Sequence, residues 1–479
     1  MATTNGNRKI LDLKRWEFCT PAPSATGTAH FIVSSRHYRQ QQLLVQSNTA
    51  QYLYNPLEDG WVQIPSGALA GTFGAGACGT AGAISTGSTA GVATLTATGG
   101  TSTTMVTNQT LARDLRGYSV QIVTGPGAGD VRTIASNTIG ANATITVSSP
   151  FSATITASST YRLLTPVWFV LGAGTLAAGS FKRYDFATNT WATLSITGLP
   201  ATVGTDGRLI ATPSTIDGGF VAFAAGTATS GTASTIVNSA KTWTTNQWSN
   251  SQVRITSGTG AGQIRSISSN DSTSLTVSSN WTITPDATSQ YSIEGNDDYV
   301  YFMGNASVTL YRYSISTNTW STLSPVAARS AAPAVGMGGH WVWDATDSNW
   351  TNESAIINGR RIYSLRGGAG SGLDYYDIAT NTWVSGVTYA PATETFTTGT
   401  KYAYNGNYLY IQKEASGRWF RYNFVTNEMD GWNTMTYTQG AAVVGDTCFD
   451  VTYSDGATSI VYVYMILNTS AVMLRQMVV

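Results

Sequence analysis

The sequence predicts an all-β chain: a β-propeller of about six four-stranded blades with two smaller, mutually similar β-domains inserted into it. Three observations predict this. One aromatic phrase recurs five times along the 479 residues. The shorter gaps between copies are near one blade's length of chain. The two gaps that are longer contain copies of a second pattern.

The clearest copies of the phrase run from Lys182 to Trp191, Tyr311 to Trp320, and Asp374 to Trp383. Each places a Tyr (Tyr184, Tyr313, Tyr376) ahead of Thr-Asn-Thr and a closing Trp (Trp191, Trp320, Trp383). Looser copies run from Tyr52 to Trp61 and from Phe420 through Tyr422 and Asn427 to Trp432. Alternation of aromatic and polar residues, broken by a turn dipeptide, is a strand–turn–strand signal. Asn tolerates the left-handed region and suits the turn. The Tyr and Trp fall on one face, so they are expected to be buried as scaffold.

Spacing assigns chain to each unit. Trp16 to Trp61 is 45 residues, Trp320 to Trp383 is 63 and Trp383 to Trp432 is 49. A propeller blade takes about 40–50 residues. Trp61 to Trp191 is 130 and Trp191 to Trp320 is 129, so each of those gaps holds an insertion. The 47 residues after Trp432 make one more blade but lack a closing phrase. Ile10 to Trp16 is a strand-like run that can supply it, which would close the ring and remove exposed edges. The resulting division is 1–69, closing strand and first blade; 70–165, first inserted module; 166–224, propeller; 225–295, second inserted module; and 296–479, propeller.

The phrase resembles the kelch repeat, in which a Tyr and a later Trp mark each blade. The resemblance covers the chain outside the inserts. Outside the inserts, the Gly pair that usually precedes the Tyr strand in that family is present only at Gly218-Gly219, Gly338-Gly339 and Gly367-Gly368.

The two insertions align without a gap from Tyr118 to Ile134 and from Ser251 to Ile267. Both continue through Ser-Asn and Thr-Val to an aromatic (Phe151, Trp281) and a closing Tyr (Tyr161, Tyr291). Their glycine runs, Gly125 to Gly129 and Gly258 to Gly262, are read as hairpin turns that need positive φ. A nucleotide loop would need a following helix or a Lys-Ser/Thr ending. The inserts resemble small β-modules, with a Ser-Gly-Thr-Gly-Ala-Gly-Gln turn, that recur in structural proteins of tailed bacteriophages. This covers about a third of the chain.

Composition bounds the function. Charged residues are 11 %, against about 25 % in ordinary globular domains, and 26 acidic side chains balance 26 basic ones. A neutral chain is a poor general binder of nucleic acid. The nearest basic patch, Arg36 to Arg39, is read as a strand end. Cys19, Cys78 and Cys448 form no disulfide framework, and buried thiols are expected even if the chain ends bring Cys19 near Cys448. The N-terminus carries no secretory signal and no apolar run is long enough to span a membrane.

Chemistry is sparse. His30, His37 and His340 lack metal-site spacing, so no metal and no cofactor is expected. Ser454-Asp455-Gly456 is an isolated turn and not a repeated sialidase box. Asp344 to Asn349 lacks the Gly and Glu of a calcium loop. No catalytic residues are assigned and the chain is read as a non-enzyme. Trp341, Trp343 and Trp350 are the candidates for contact with a glycan or a partner.

The resemblances imply a virion protein of a tailed phage, made in the host cytoplasm, of the tail nozzle or collar type. It would be a homo-oligomeric ring beside other tail or portal-adaptor components, with passing DNA as a further contact. The alternatives are an adhesin that binds host-surface glycan and, less favoured, a propeller glycan hydrolase or lyase.

Overall fold

The computed structural model describes residues 16–23, 31–34, 42–47, 50–64, 73, 77–82, 94–204, 207–212, 223–304, 307–329, 339–341, 361–365, 372–388, 396, 400–404, 408–413, 416–423, 426, 428–434, 447–454, 459–466 and 472–478. Every regular element among them is a β-strand, with the exception of turns and isolated bridges. His30, His37, Trp343 and Trp350 lie outside the described residues. So do the side chains of His340, Trp341, Trp432 and Cys448.

Among the described residues six antiparallel sheets have four strands each. The first is a meander of Phe31–Ser34, Gln42–Ser47, Ala50–Asn55 and Gly60–Gln63. The second holds Cys78–Gly82, Val167–Leu171, Phe181–Asp185 and Thr190–Thr193; the third holds Arg208–Ala211, Tyr299–Met303, Leu310–Ser314 and Thr319–Thr322. The fourth is Gly339–Trp341, Arg361–Leu365, Gly372–Asp377 and Thr382–Thr388, and the fifth is Lys401–Tyr404, Tyr408–Gln412, Arg418–Asn423 and Glu428–Thr434. The sixth joins Thr447–Ser454, Ser459–Ile466 and Met473–Val478 to Glu17–Phe18 from the other end of the chain. Glu17 lies opposite Arg475 and Phe18 opposite Leu474, and the Arg475 Nε donates to the Glu17 carboxylate at 3.1 Å.

Cys448 stands on the strand three places across this sheet from Phe18. At about 4.8 Å per strand that separation far exceeds the reach of a disulfide from Cys19. Cys19 and Cys78 are both buried.

The sheets stack face to face in chain order. Leu53 and Ile64 of the first pack with Trp168, Val170 and Tyr184 of the second. Phe169 and Phe181 on the opposite face of the second meet Tyr313 and Trp320 of the third. Tyr301 and Met303 of the third meet Tyr376 and Trp383 of the fourth. Tyr422 of the fifth lies within the electrostatic reach of Tyr363, Arg361 and Tyr375 of the fourth. Tyr410 and Trp419 of the fifth meet Val463 and Leu474 of the sixth, and Tyr464 of the sixth meets Tyr54 of the first. Phe31–Ser34 touches Cys78–Gly82 and Thr447–Ser454, Arg208–Ala211 touches Cys78–Gly82 and Gly339–Trp341, and Lys401–Tyr404 touches Thr447–Ser454.

The phrase builds the two outer strands of a sheet. Tyr54 lies opposite Trp61, Tyr184 opposite Trp191, Tyr313 opposite Trp320 and Tyr376 opposite Trp383. Their ring centroids are 4.8 to 5.6 Å apart, a contact worth about 0.5–1.5 kcal/mol beyond burial. Tyr184, Tyr313, Tyr376, Tyr422, Trp320 and Trp383 are buried, whereas Trp191 is half-buried. The fifth sheet departs from the expectation: Met429 stands opposite Tyr422, and Trp432 lies three residues on, beside a bulge. The pairing across the turn keeps the separation of the other sheets, Asn423 opposite Glu428, but the Trp comes ten residues after Tyr422 instead of seven, so Trp432 does not take the closing Trp's place.

Two further sheets of seven short strands each are built from residues 95–164 and 224–295, in the same strand order. In the first, Ala97 N–H donates to Ser159 and Thr98 N–H to Val106. Residues 95–100 thus pair with both edges of the sheet, which wraps around one apolar core. Ala228 to Ser289 and Thr229 to Val237 repeat this in the second module. Each insertion falls between the first and second strands of its sheet. The boundary at residue 70 is therefore corrected, because Cys78–Gly82 pairs with Val167–Leu171 and belongs to the second sheet.

Candidate functional site

The phrase ends in a polar clamp that recurs from sheet to sheet. Asp59, Asn189, Asn318 and Asn381 all have φ between 48° and 54°. That left-handed geometry turns each side chain back to accept the hydroxyl proton of the Tyr five residues earlier: Tyr54, Tyr184, Tyr313 and Tyr376. The flanking threonine hydroxyls bond across the turn, Thr188 to Thr190 at 2.6 Å, Thr317 to Thr319 at 2.8 Å and Thr380 to Thr382 at 2.6 Å. This is the physical content of Thr-Asn-Thr.

Each clamp also holds a neighbour. Asp59 accepts Thr20 N–H and Asn318 accepts Ser195 N–H, so in these two the incoming linker is fastened to the next sheet. Trp61 and Trp320 add indole N–H bonds to the carbonyls of Thr20 and Ser195. In the second and fourth sheets the clamp holds an inserted module. Arg113 of the first module donates to Tyr184 at 3.1 Å and to Asn189 at 2.9 Å, and Ala112 N–H donates to Ala187. Asn250 of the second module donates to the Tyr376 hydroxyl, and Ala379 enters that module's core. Burial pushes the Tyr184 and Tyr376 hydroxyls up, so both are neutral donors.

The second module leans across its own sheet as well. Arg312 donates to the Ser249 carbonyl and to Asn250, and its guanidinium lies 4.0 Å from the Tyr299 ring centroid. Arg421 over Tyr408 and Arg475 over Tyr462 repeat that stack in the fifth and sixth sheets. The Arg before the phrase Tyr is visible at positions 183, 312 and 421, and its recurrence is a signal the aromatic pattern alone overlooks.

Where the modules meet the sheets, charges are paired. Arg162 Nη1 bonds both carboxylate oxygens of Asp297, at 2.9 and 3.0 Å. Arg254 forks onto Glu294, with Nη2 at 2.9 Å. Asp298 accepts Ser314 Oγ, Ser316 Oγ and Ser316 N–H, replacing the turn cap that Asp185 and Asp377 supply in their own phrases, where the third sheet has Ser314. Burial pushes the Asp298 carboxyl up, against the pull of those hydrogen bonds and of Arg162.

The glycine runs are hairpin turns between strands, as their sequence predicts. Gly125, Gly127, Gly129, Gly258, Gly260 and Gly262 all have φ between 78° and 92°. Of the aromatic candidates, only the Trp341 backbone is described, at the end of Gly339–Trp341. The structure does not bring Trp341, Trp343 and Trp350 into a described site. Among the described residues no three His, Cys, Asp or Glu side chains gather as metal ligands.

No family model and no curated protein matches the chain. Among solved structures, one titled "Structure of YjhT" aligns at 11 % identity over 64 % of this chain and 79 % of that one, with a TM-score of 0.29.

Proposed function

We propose that this chain is a non-enzymatic structural protein of a tailed-phage virion, of the nozzle or collar type. In this reading the six stacked sheets are the blades of a kelch-like propeller, and the N-terminal strand fastens the last blade. One observation carries it. Two modules of one topology are inserted at the same loop of consecutive sheets and are fastened down by Arg113 and Asn250. Such a duplicated, anchored surface suits repeated contact with neighbouring subunits, and its described charges are largely spent on each other. Assembly then follows from surface burial and needs no covalent chemistry. The test is mass spectrometry of intact particles purified from a host carrying this gene. Presence at many copies per particle is expected, and absence from the particle overturns the reading.

A glycan-binding adhesin is the second reading, favoured by Trp243. That half-buried ring lies on the second module against Trp248 and Tyr291, with Thr242, Thr244 and Asn246 exposed beside it. Sugars stack on such faces. Loss of host-cell binding by Trp243→Ala particles that still assemble would replace the structural reading by this one.

A further inference from the structure

The outward faces of both modules carry buried polar side chains, and the cross-contacts beside them mark a seam between the modules. Each module turns one set of residues inward to its own core: Val120, Ile122, Tyr161 and Leu163 in the first, Val253, Ile255, Tyr291 and Ile293 in the second. Alternate residues on the same strands face outward. These are buried too, although polar: Ser119 and Gln121 on one side, Gln252, Ser292 and Glu294 on the other. Register places Gln121 beside Arg162, and Gln252 beside Glu294.

Two contacts cross from the first module to the second or its exit. One is the Arg162–Asp297 pair, with side chains 13 % and 2 % exposed. The other joins the glycine turns: a Cβ built on Gly129 would lie 3.8 Å from the Gly262 Cα, and one on Gly262 would lie 3.4 Å from the Ala128 carbonyl oxygen. Along the same seam Gln121 Oε1 and Arg162 Nε are buried with no hydrogen-bond partner among the described residues. Thr165 Oγ1, on the linker where the first module rejoins its sheet, is in the same condition.

We propose that this seam is an openable joint, closed by the Arg162–Asp297 ion pair, at which the two modules part without unfolding. Polar interfaces within a chain behave like transient ones. Opening gives the orphaned groups water to bond, so the polar surface gains partners as it separates. Each module keeps its complete strand set and apolar core throughout, and local opening below the cost of global unfolding is the ordinary behaviour of such units. The inference is independent of the virion reading, since it concerns the isolated chain.

Thiol labelling of the full chain tests it. Gln121→Cys places a reporter in the seam, and Ile145→Cys places one in the core of the same module, where Ile145 is fully buried. In the parent background the seam thiol should react faster than the core thiol. Adding Asp297→Asn, or separately Arg162→Gln, should raise the seam rate about tenfold and leave the core rate unchanged. Equal rates for the two reporters in the parent overturn the proposal without recourse to either variant. A seam rate indifferent to both variants, or a core rate that rises in step with it, overturns it equally.

Discussion

Tyr376 contributes a hydroxyl as well as a ring. Its O–H donates to Asn381 at 2.7 Å and accepts from Asn250, all three residues being buried. Tyr376→Phe keeps the stack on Trp383 and removes both bonds, leaving the Asn250 amide N–H a long 3.3 Å bond to Asn381 while its oxygen still accepts from Arg312. A loss of about 1–3 kcal/mol is expected in denaturant unfolding. Tyr313→Phe should cost nearer 1 kcal/mol, because Asn318 keeps the Ser195 N–H. The rings were legible in the sequence because alternation marks a face. The clamp was not, because a five-residue interval across a turn shows no partner, and Asp59 breaks the Asn identity. Cys19 adds a pH dependence. Burial raises its thiol from 9.0 to about 12. The unfolded chain therefore loses this proton above pH 9 while the folded chain keeps it, so the associated stability is full below pH 9 and falls as pH rises toward 12. Cys19→Ala should lose less stability than the parent between neutral and strongly alkaline buffer, as followed by the unfolding midpoint.

At the scale of the element, the glycine turns have the narrowest tolerance. A Cβ on Gly258 would lie 2.0 Å from the Thr288 carbonyl oxygen, at φ 78°. Gly117 has φ 87° but open space around its would-be Cβ. Gly117→Ala should cost about 1–2 kcal/mol for the left-handed backbone alone. Gly258→Ala must also displace backbone, so it should exceed about 3 kcal/mol and unfold the second module first, seen as early loss of Trp243, Trp248 and Trp281 fluorescence shielding. Turn and flanking strands were readable here because Gly-rich runs between alternating residues have one economical geometry. Two other elements were not. Cys78–Gly82 is small and Gly-rich, so nothing local distinguishes it from the loop of an insert; only its pairing with Val167–Leu171 places it. Trp432 carries the right residue type three places too far along its strand, and residue type alone led the sequence reading to accept it.

Across the whole molecule, the sequence's irregular spacing located the two insertions, and the matching strand orders follow from their aligned residues. What spacing could not show is that the modules sit down on the clamps of the second and fourth sheets, since Arg113 and Asn250 are unremarkable polar residues until folded. The pairing of the two chain ends is the feature on which the largest structure depends. Glu17–Phe18 covers the edge of Met473–Val478, Trp16 packs on Trp419 of the fifth sheet at 5.2 Å, and Thr20 is fastened to Asp59 of the first. One short segment thus bridges three sheets, including the two that chain order leaves farthest apart. Deleting residues 1–23 would bare a strand edge and strip the apolar cover that Cys19 and Ala22 give to Tyr54 and Tyr464. Unpaired edges recruit other chains. The truncated protein should therefore elute as larger species than the parent and melt earlier, and a synthetic peptide of residues 14–23 should restore both properties by re-pairing with Met473–Val478. A truncated chain with the parent's hydrodynamic size and melting temperature would show that the six sheets hold together without this strand.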